Sequence, residues 1–171
     1  EKINSEIIGW LWIPGTNISY PLLQADDNIK YLNLSYDLQQ TNSGSIFIDY
    51  RSSSEFGDDN LLIYGHNMHS GGMFGDLKKF ADAEYLNQNC ELYIFTKYRV
   101  YKYLIFAAYV TENDSRSYTR NFTEDFGYKD FLNFIASAAG VNEKEPPEDA
   151  AALVTLSTCT SVRRDERFVV H

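Results

Sequence analysis

The stretch Leu153-Val154-Thr155-Leu156-Ser157-Thr158-Cys159-Thr160 runs an apolar, β-branched segment straight into a cysteine, with Arg163, Arg164 and Arg167 just beyond it. β-branched residues suit the pleated, half-buried surface of a sheet, so the segment predicts a core strand. At its end it delivers a thiol to basic surroundings, where neighbouring positive charge favours the nucleophilic thiolate. A cysteine closing a buried strand also serves as a small packed hydrophobe. The stretch alone leaves both readings open.

The rest of the chain is written in the same short units. Trp10-Leu11-Trp12-Ile13, residues 18–23, residues 45–50, Asn60-Leu61-Leu62-Ile63-Tyr64, residues 91–96, residues 99–110 and residues 167–171 all read as strands, separated by turn signals such as Pro14-Gly15 and Thr41-Asn42-Ser43-Gly44. Residues 91–96 and 99–110 resemble a hairpin. Helical spacing is confined to a few places. Ile3, Ile7 and Ile8 predict a short N-terminal helix over residues 1–8, Asp26-Asp27-Asn28 supplies a cap for a helical piece through Tyr31-Leu32, and two short helices are expected at residues 74–80 and 83–87. Phe131, Leu132, Phe134 and Ile135 predict a longer helix over residues 128–138, closed by Gly140, and Pro146-Pro147 marks a linker before the cysteine strand. Residues 111–126 read as a long polar loop. Seven or eight strands with few helices point to a mainly β fold, a closed barrel or a sandwich. An aromatic content of 15% agrees.

A chain of 171 residues is the length of one ordinary domain, and residues 1–171 are expected to form one. The net charge of −9 repels polyanions and excludes nucleic acid as the natural partner. Cys90 and Cys159 are too few for a disulfide framework; they could form one bridge, which a nucleophilic Cys159 would forbid, and Cys90 is assigned to packing. No apolar run is long enough to cross a membrane, yet the chain starts without methionine, so a removed N-terminal signal or anchor is expected.

Three histidines are present. His171 is terminal and reads as incidental, whereas His66 follows a strand and a glycine, where a side chain projects from a rigid scaffold into a cleft. His66 and His69 stand at i, i+3, but neither Cys-x-x-Cys nor His-Glu-x-x-His spacing is present, and no metal or other cofactor is expected. A thiol, a histidine and a fixed arginine together make an acyl-transfer site: thiol attack on a carbonyl, proton transfer by histidine, oxyanion stabilisation by a guanidinium that stays protonated. Arg163, Arg164 and Arg167 compete for the last role. Arg167 is preferred because it opens the final strand; the other two are read as solvated charge opposite Asp165 and Glu166.

These motifs resemble the sortases. Thr155-Leu156-Ser157-Thr158-Cys159 with Arg167 eight positions on resembles their cysteine strand and following arginine, and Tyr64-Gly65-His66-Asn67-Met68 their histidine segment. Gly44-Ser45-Ile46-Phe47-Ile48-Asp49-Tyr50-Arg51, Met73-Phe74 and the helix before the cysteine strand look like class B members. The resemblance runs from Ile8 to Val170. It implies a closed eight-stranded β-barrel, with Cys159 as nucleophile, His66 as general acid and base, and Arg167 as oxyanion stabiliser. It further implies that Asn28 and Leu32, as an Asn-x-x-x-Leu element, line the substrate groove together with Ser157, and that Tyr118, Thr119 and Thr160 are groove candidates. The implied reaction is cleavage of an Asn-Pro-x-Thr type sorting motif of a secreted protein after Thr. The acyl group is then held as a thioester and passed to an amine of a peptidoglycan precursor (the lipid II stem peptide) or to a pilin lysine. The implied location is the extracellular face of the cytoplasmic membrane, with a single-pass N-terminal anchor. A plain cysteine endopeptidase and a non-catalytic surface-binding barrel stand as alternatives, separable by added amine and by thiol accessibility.

Overall fold

The computed structural model describes residues 4–139, 152–160, 163 and 165–171. Nine strands form one curled sheet: β1 (Ile7–Trp12), β2 (Ser19–Leu23), β3 (Ile46–Ile48), β4 (Asn60–Tyr64), β5 (Glu91–Phe95), β6 (Val100–Leu104), β7 (Ala108–Glu112), β8 (Leu153–Cys159) and β9 (Glu166–Val170). Their spatial order is β6-β5-β1-β2-β3-β4-β8-β9-β7. The mainly β expectation holds, but the strand count is nine rather than eight, and among the described residues no ladder closes β6 onto β7.

The extra strand comes from residues 99–110, which are two strands and not one. Ile105 donates its backbone N–H to Cys90, while Phe106 donates to His171, so within three residues the chain leaves the partner of β6 for that of β7. Tyr101, Tyr103 and Ile105 face the main core as the alternation predicts, but Ala107, expected on that face, lies in the opposite cluster with Phe106 while Ala108 returns to the main core, so the alternation shifts phase where the partner changes. The expected N-terminal helix is also corrected. Ile7 and Ile8 belong to β1, where Ile7 pairs with Leu23 of β2 and Ile8 falls in the register shift before Gly9; residues 1–3 lie outside the described residues, as do Gly140, the 143–149 linker and Arg164.

Two helices were legible: α1 (Ala83–Gln88), capped by the Asp82 carboxylate accepting from Tyr85 N–H, and α2 (Tyr128–Ala139), which buries Phe131 and Ile135. The pieces at Lys30–Leu32 and Gly75–Ala81 are 3-10 turns. Ile29 stands at the cap position of the first, and Asp27 just before it supports the turn, its Oδ1 accepting from the N–H groups of Ile29 and Lys30.

The pleat separates core from site. Val154, Leu156, Phe168, Val170, Leu61, Ile63, Ile46 and Ile48 turn into the main core inside the curl. On the other face, Leu153 and Val169 pack with Phe131 and Ile135 of α2, and Phe47 packs beside Tyr64. β8, parallel to β4 and covered on both faces, is buried at every position except Cys159, which is why it reads as a continuous apolar run.

The anchored placement at the outer face of a membrane is corrected. Among the described residues no helix is long and apolar enough to cross a membrane, so these residues supply no such anchor.

Candidate active site

Strand register brings the reactive side chains abreast. β4 and β8 run parallel, with Asn60 opposite Leu153 and Tyr64 opposite Ser157. Two residues further along each strand, the same offset sets His66 beside Cys159. Side-chain bonds carry this alignment past the end of the ladder: Thr158 Oγ1 donates to the Gly65 carbonyl (2.7 Å) and Asn67 Nδ2 to the Cys159 carbonyl (2.9 Å). On the other side of β8, antiparallel β9 pairs Arg167 directly with Cys159, and directly opposed residues share a face. His66, Cys159 and Arg167 therefore stand in a row across β4, β8 and β9, on the face away from the main core.

Among the described residues one side-chain hydrogen bond holds His66. Its Nε2 lies 2.7 Å from the Leu32 carbonyl oxygen, and a carbonyl only accepts, so Nε2 carries the proton and Nδ1 is the nitrogen left for chemistry. Leu32 is itself held by the close approach of Gly44 (φ +56°), where an added Cβ would fall 2.4 Å from the Tyr31 carbonyl oxygen and 2.7 Å from that of Leu32. Gly44→Ala is expected to cost about 1–3 kcal/mol in unfolding free energy, checked by urea denaturation. It is also expected to lower turnover, because the displaced carbonyl is the one that orients His66.

The row opens onto a cavity of about 340 Å³ lined by Asn28, Leu32, Phe47, Arg51, Tyr64, Gly65, His66, Asn113, Tyr118, Ser157, Thr158, Cys159 and Arg167. Seven residues singled out in the sequence thus meet there: Asn28, Leu32, His66, Tyr118, Ser157, Cys159 and Arg167. Tyr118 OH and Ser157 Oγ share a hydrogen bond of 2.8 Å; burial pushes the Tyr118 hydroxyl above its ordinary pKa, with the Ser157 bond opposing. Thr119 and Thr160 do not line the cavity. Thr119 turns its carbonyl to Asn60 Nδ2 (2.9 Å), and Thr160 Oγ1 faces Glu166 Oε2 at 3.3 Å. Arg163 pairs with Asp165 (2.9 Å), as its reading as solvated charge requires. Cys159 and Cys90 are both free thiols, and Cys159 is exposed where Cys90 is half-buried.

Phe47, Arg51, Tyr64 and Asn113 were not singled out as site residues. Phe47 and Arg51 lie in the 44–51 motif quoted for its likeness to class B members, and Tyr64 opens the segment quoted for its histidine. Behind them sits Asp49, fully buried, which receives Arg51 Nε and Nη2 (both 2.9 Å), Asn28 Nδ2 (3.0 Å) and Tyr64 OH (3.1 Å). Burial alone would raise the Asp49 carboxyl, but the Arg51 guanidinium and the other donors outweigh it and hold it well below the usual carboxylate range.

A mainly β sheet with a thiol, an imidazole and a guanidinium abreast defines a class of cysteine acyl-transferases, and comparison with known proteins agrees. Residues 11–171 match the Sortase domain family. A curated sortase B of Listeria monocytogenes is 35% identical over 167 residues, 98% of this chain and 68% of that protein. Sortase B of Staphylococcus aureus is 31% identical over 93% of this chain and 65% of its own length, so the chain spans about two thirds of these relatives. A solved structure of a Staphylococcus aureus sortase B–substrate complex superposes with a TM-score of 0.87 at 30% identity, over 99% of this chain and 80% of that one. The chain belongs to the sortase family, the cysteine transpeptidases that anchor surface proteins. These relatives are of the B type, as the 44–51 and 64–68 motifs led one to expect.

Proposed function

We propose that residues 1–171 form a single sortase catalytic domain. It cleaves an Asn-Pro-x-Thr type sorting motif of a secreted protein after Thr and transfers the acyl group to an amine of a peptidoglycan precursor. The observation that carries this reading is the row of His66, Cys159 and Arg167 set by the β4-β8-β9 register. Cys159 Sγ passes its proton to His66 Nδ1 and attacks the threonyl carbonyl, the Arg167 guanidinium donates to the oxyanion that forms, and the C–N bond breaks as Nδ1 hands that proton to the leaving amine. A thioester remains on Sγ. An incoming amine then passes a proton to His66 Nδ1 and attacks the thioester carbonyl; the C–S bond breaks, and the thiol returns with a new amide. The cavity walls at Asn28, Leu32, Tyr118 and Ser157 hold the peptide extended. A complexed substrate in the Staphylococcus aureus relative supports a peptide as first substrate.

The test is intact-mass measurement after incubation with a panel of Asn-Pro-x-Thr peptides, with and without a peptidoglycan-stem amine or a pilin-type lysine peptide. The expected result is a thioester-sized adduct on Cys159 that becomes amide product when the stem amine is present. Amide formed only with the lysine peptide would reassign the acceptor, hydrolysis unaffected by either amine would make this a plain endopeptidase, and no adduct with a free thiol would end the reading.

A further inference from the structure

We infer that Arg51, held by Asp49, is a substrate-positioning residue that donates a hydrogen bond to a carbonyl oxygen of the bound peptide about four residues from the scissile bond. The inference rests on the reading that this cavity holds the sorting peptide.

Arg51 faces the cavity, and its side chain is 50% exposed while Asp49 is wholly buried. Nε and Nη2 are both committed to the Asp49 carboxylate; Nη1 has no hydrogen-bond partner among the described residues. A guanidinium gripped on one edge presents the donors of its other edge in a fixed plane. Because the ionised Asp49 neutralises the pair, the cavity receives oriented N–H groups rather than net positive charge. Such a group suits a neutral carbonyl oxygen better than a carboxylate. Asn28 is less available than its place in the groove suggests, since its Nδ2 is given to Asp49 and its Oδ1 accepts from Tyr50 N–H at 3.0 Å. Asp49 thus ties Asn28, Tyr64 and Arg51 into one wall, and Arg51 holds the donors left for a ligand.

Register sets the distance. Ile48 pairs with Ile63, and Asp49 N–H donates to the Leu62 carbonyl, so Asp49 sits level with a residue four before His66. Four residues of strand span about 13 Å, and an extended peptide in the cavity covers that distance in about four residues.

The test compares peptide cleavage by the wild-type chain, Arg51→Gln, Arg51→Lys and Asp49→Asn, together with the rate of Cys159 alkylation by a small neutral reagent. Loss of one such hydrogen bond is expected to raise KM about tenfold in Arg51→Gln, with kcat within about twofold. Alkylation should match wild type, and Arg51→Lys should fail to restore KM because it lacks the fork. Asp49→Asn should move KM the same way; if it fails to fold, the exposed Arg51 variants decide alone. Unchanged kcat/KM in Arg51→Gln would overturn the inference, as would slower alkylation or a lower kcat at unchanged KM, which mark a structural role. A wild-type chain that cleaves none of the peptides would instead remove the proposed function beneath it.

Discussion

Replacing Cys159 with alanine is expected to abolish acyl-adduct formation and to lower peptide turnover by at least about 10³-fold, while leaving the unfolding midpoint unchanged. Loss of a nucleophile removes the covalent path altogether, and what survives is binding and oxyanion stabilisation without a group to attack. Stability should hold because Cys159 is the one exposed position of β8; the six residues before it are buried. Surface substitutions of that kind stay within about 0.5 kcal/mol. A packed cysteine would behave in the opposite way, with stability lost and alkylation slow in the native state. Arg167→Lys makes the companion measurement. It keeps the charge but loses the planar fork, and a drop of about 10²-fold in kcat is expected if the guanidinium serves the oxyanion. Full turnover in Cys159→Ala, read by product chromatography, would remove the thiol from the mechanism.

Much of this site was legible because strand ends are legible. Two apolar runs finish in Tyr64-Gly65-His66 and Ser157-Thr158-Cys159, and parallel pairing of those runs, continued two residues past its last pair, sets imidazole and thiol side by side. What stayed hidden was everything that depends on three-dimensional closure. Asp49 carries no local sign that Asn28 and Tyr64 will join Arg51 as donors to it, since they are 21 and 15 residues away. The break at Ile105–Ala107 was hidden because Ile105, Phe106, Ala107 and Ala108 are all apolar and buried, so the shift of phase leaves no polar residue to mark it. Ile7 and Ile8 misled for a related reason: two neighbouring isoleucines satisfy a helical stripe as well as the two faces of a strand. The strongest misreading was His171, which seemed incidental at the end of the last strand and lies 5% exposed within a polar network.

That network yields the second large effect. Thr155 Oγ1 donates to Asn60 Oδ1 at 2.8 Å, so toward His171 Nδ1, 3.0 Å away, it accepts, and Nδ1 holds the ring proton. Nε2 of the neutral ring accepts from Tyr109 OH at 3.0 Å, and Tyr109 in turn accepts from Ser117 Oγ at 2.9 Å. Protonating Nε2 would force Tyr109 and Ser117 to reverse their donors, inside a shell that includes Phe106 and Phe131. Burial accordingly pushes the His171 pKa from 6.5 down to about 3. Because the folded value is the lower one, His171 is neutral in both states above about pH 6.5. Below that the unfolded chain takes up a proton that the folded chain refuses, and stability falls as pH falls, by about 1.4 kcal/mol per unit at most, until about pH 3. The Asp49 carboxylate acts in a separate window, since its contribution is lost only as pH drops below about 4. Urea unfolding between pH 7 and pH 5 therefore isolates the histidine, and a loss of about 2 kcal/mol is expected over that range. His171→Gln should be less stable at pH 7 by about 1–3 kcal/mol yet nearly flat across the same interval; an equal slope in both chains would show that other groups carry the acid sensitivity. Function follows the same bonds. Asn60 Nδ2 also donates to the carbonyls of Ser117 and Thr119, so the network that keeps His171 neutral pins the segment that carries Tyr118 into the cavity. Because the folded ring stays neutral until about pH 3, the wall itself should hold between pH 7 and pH 5, and the His171-dependent loss should appear in unfolding free energy and not in a change of KM that His171→Gln lacks.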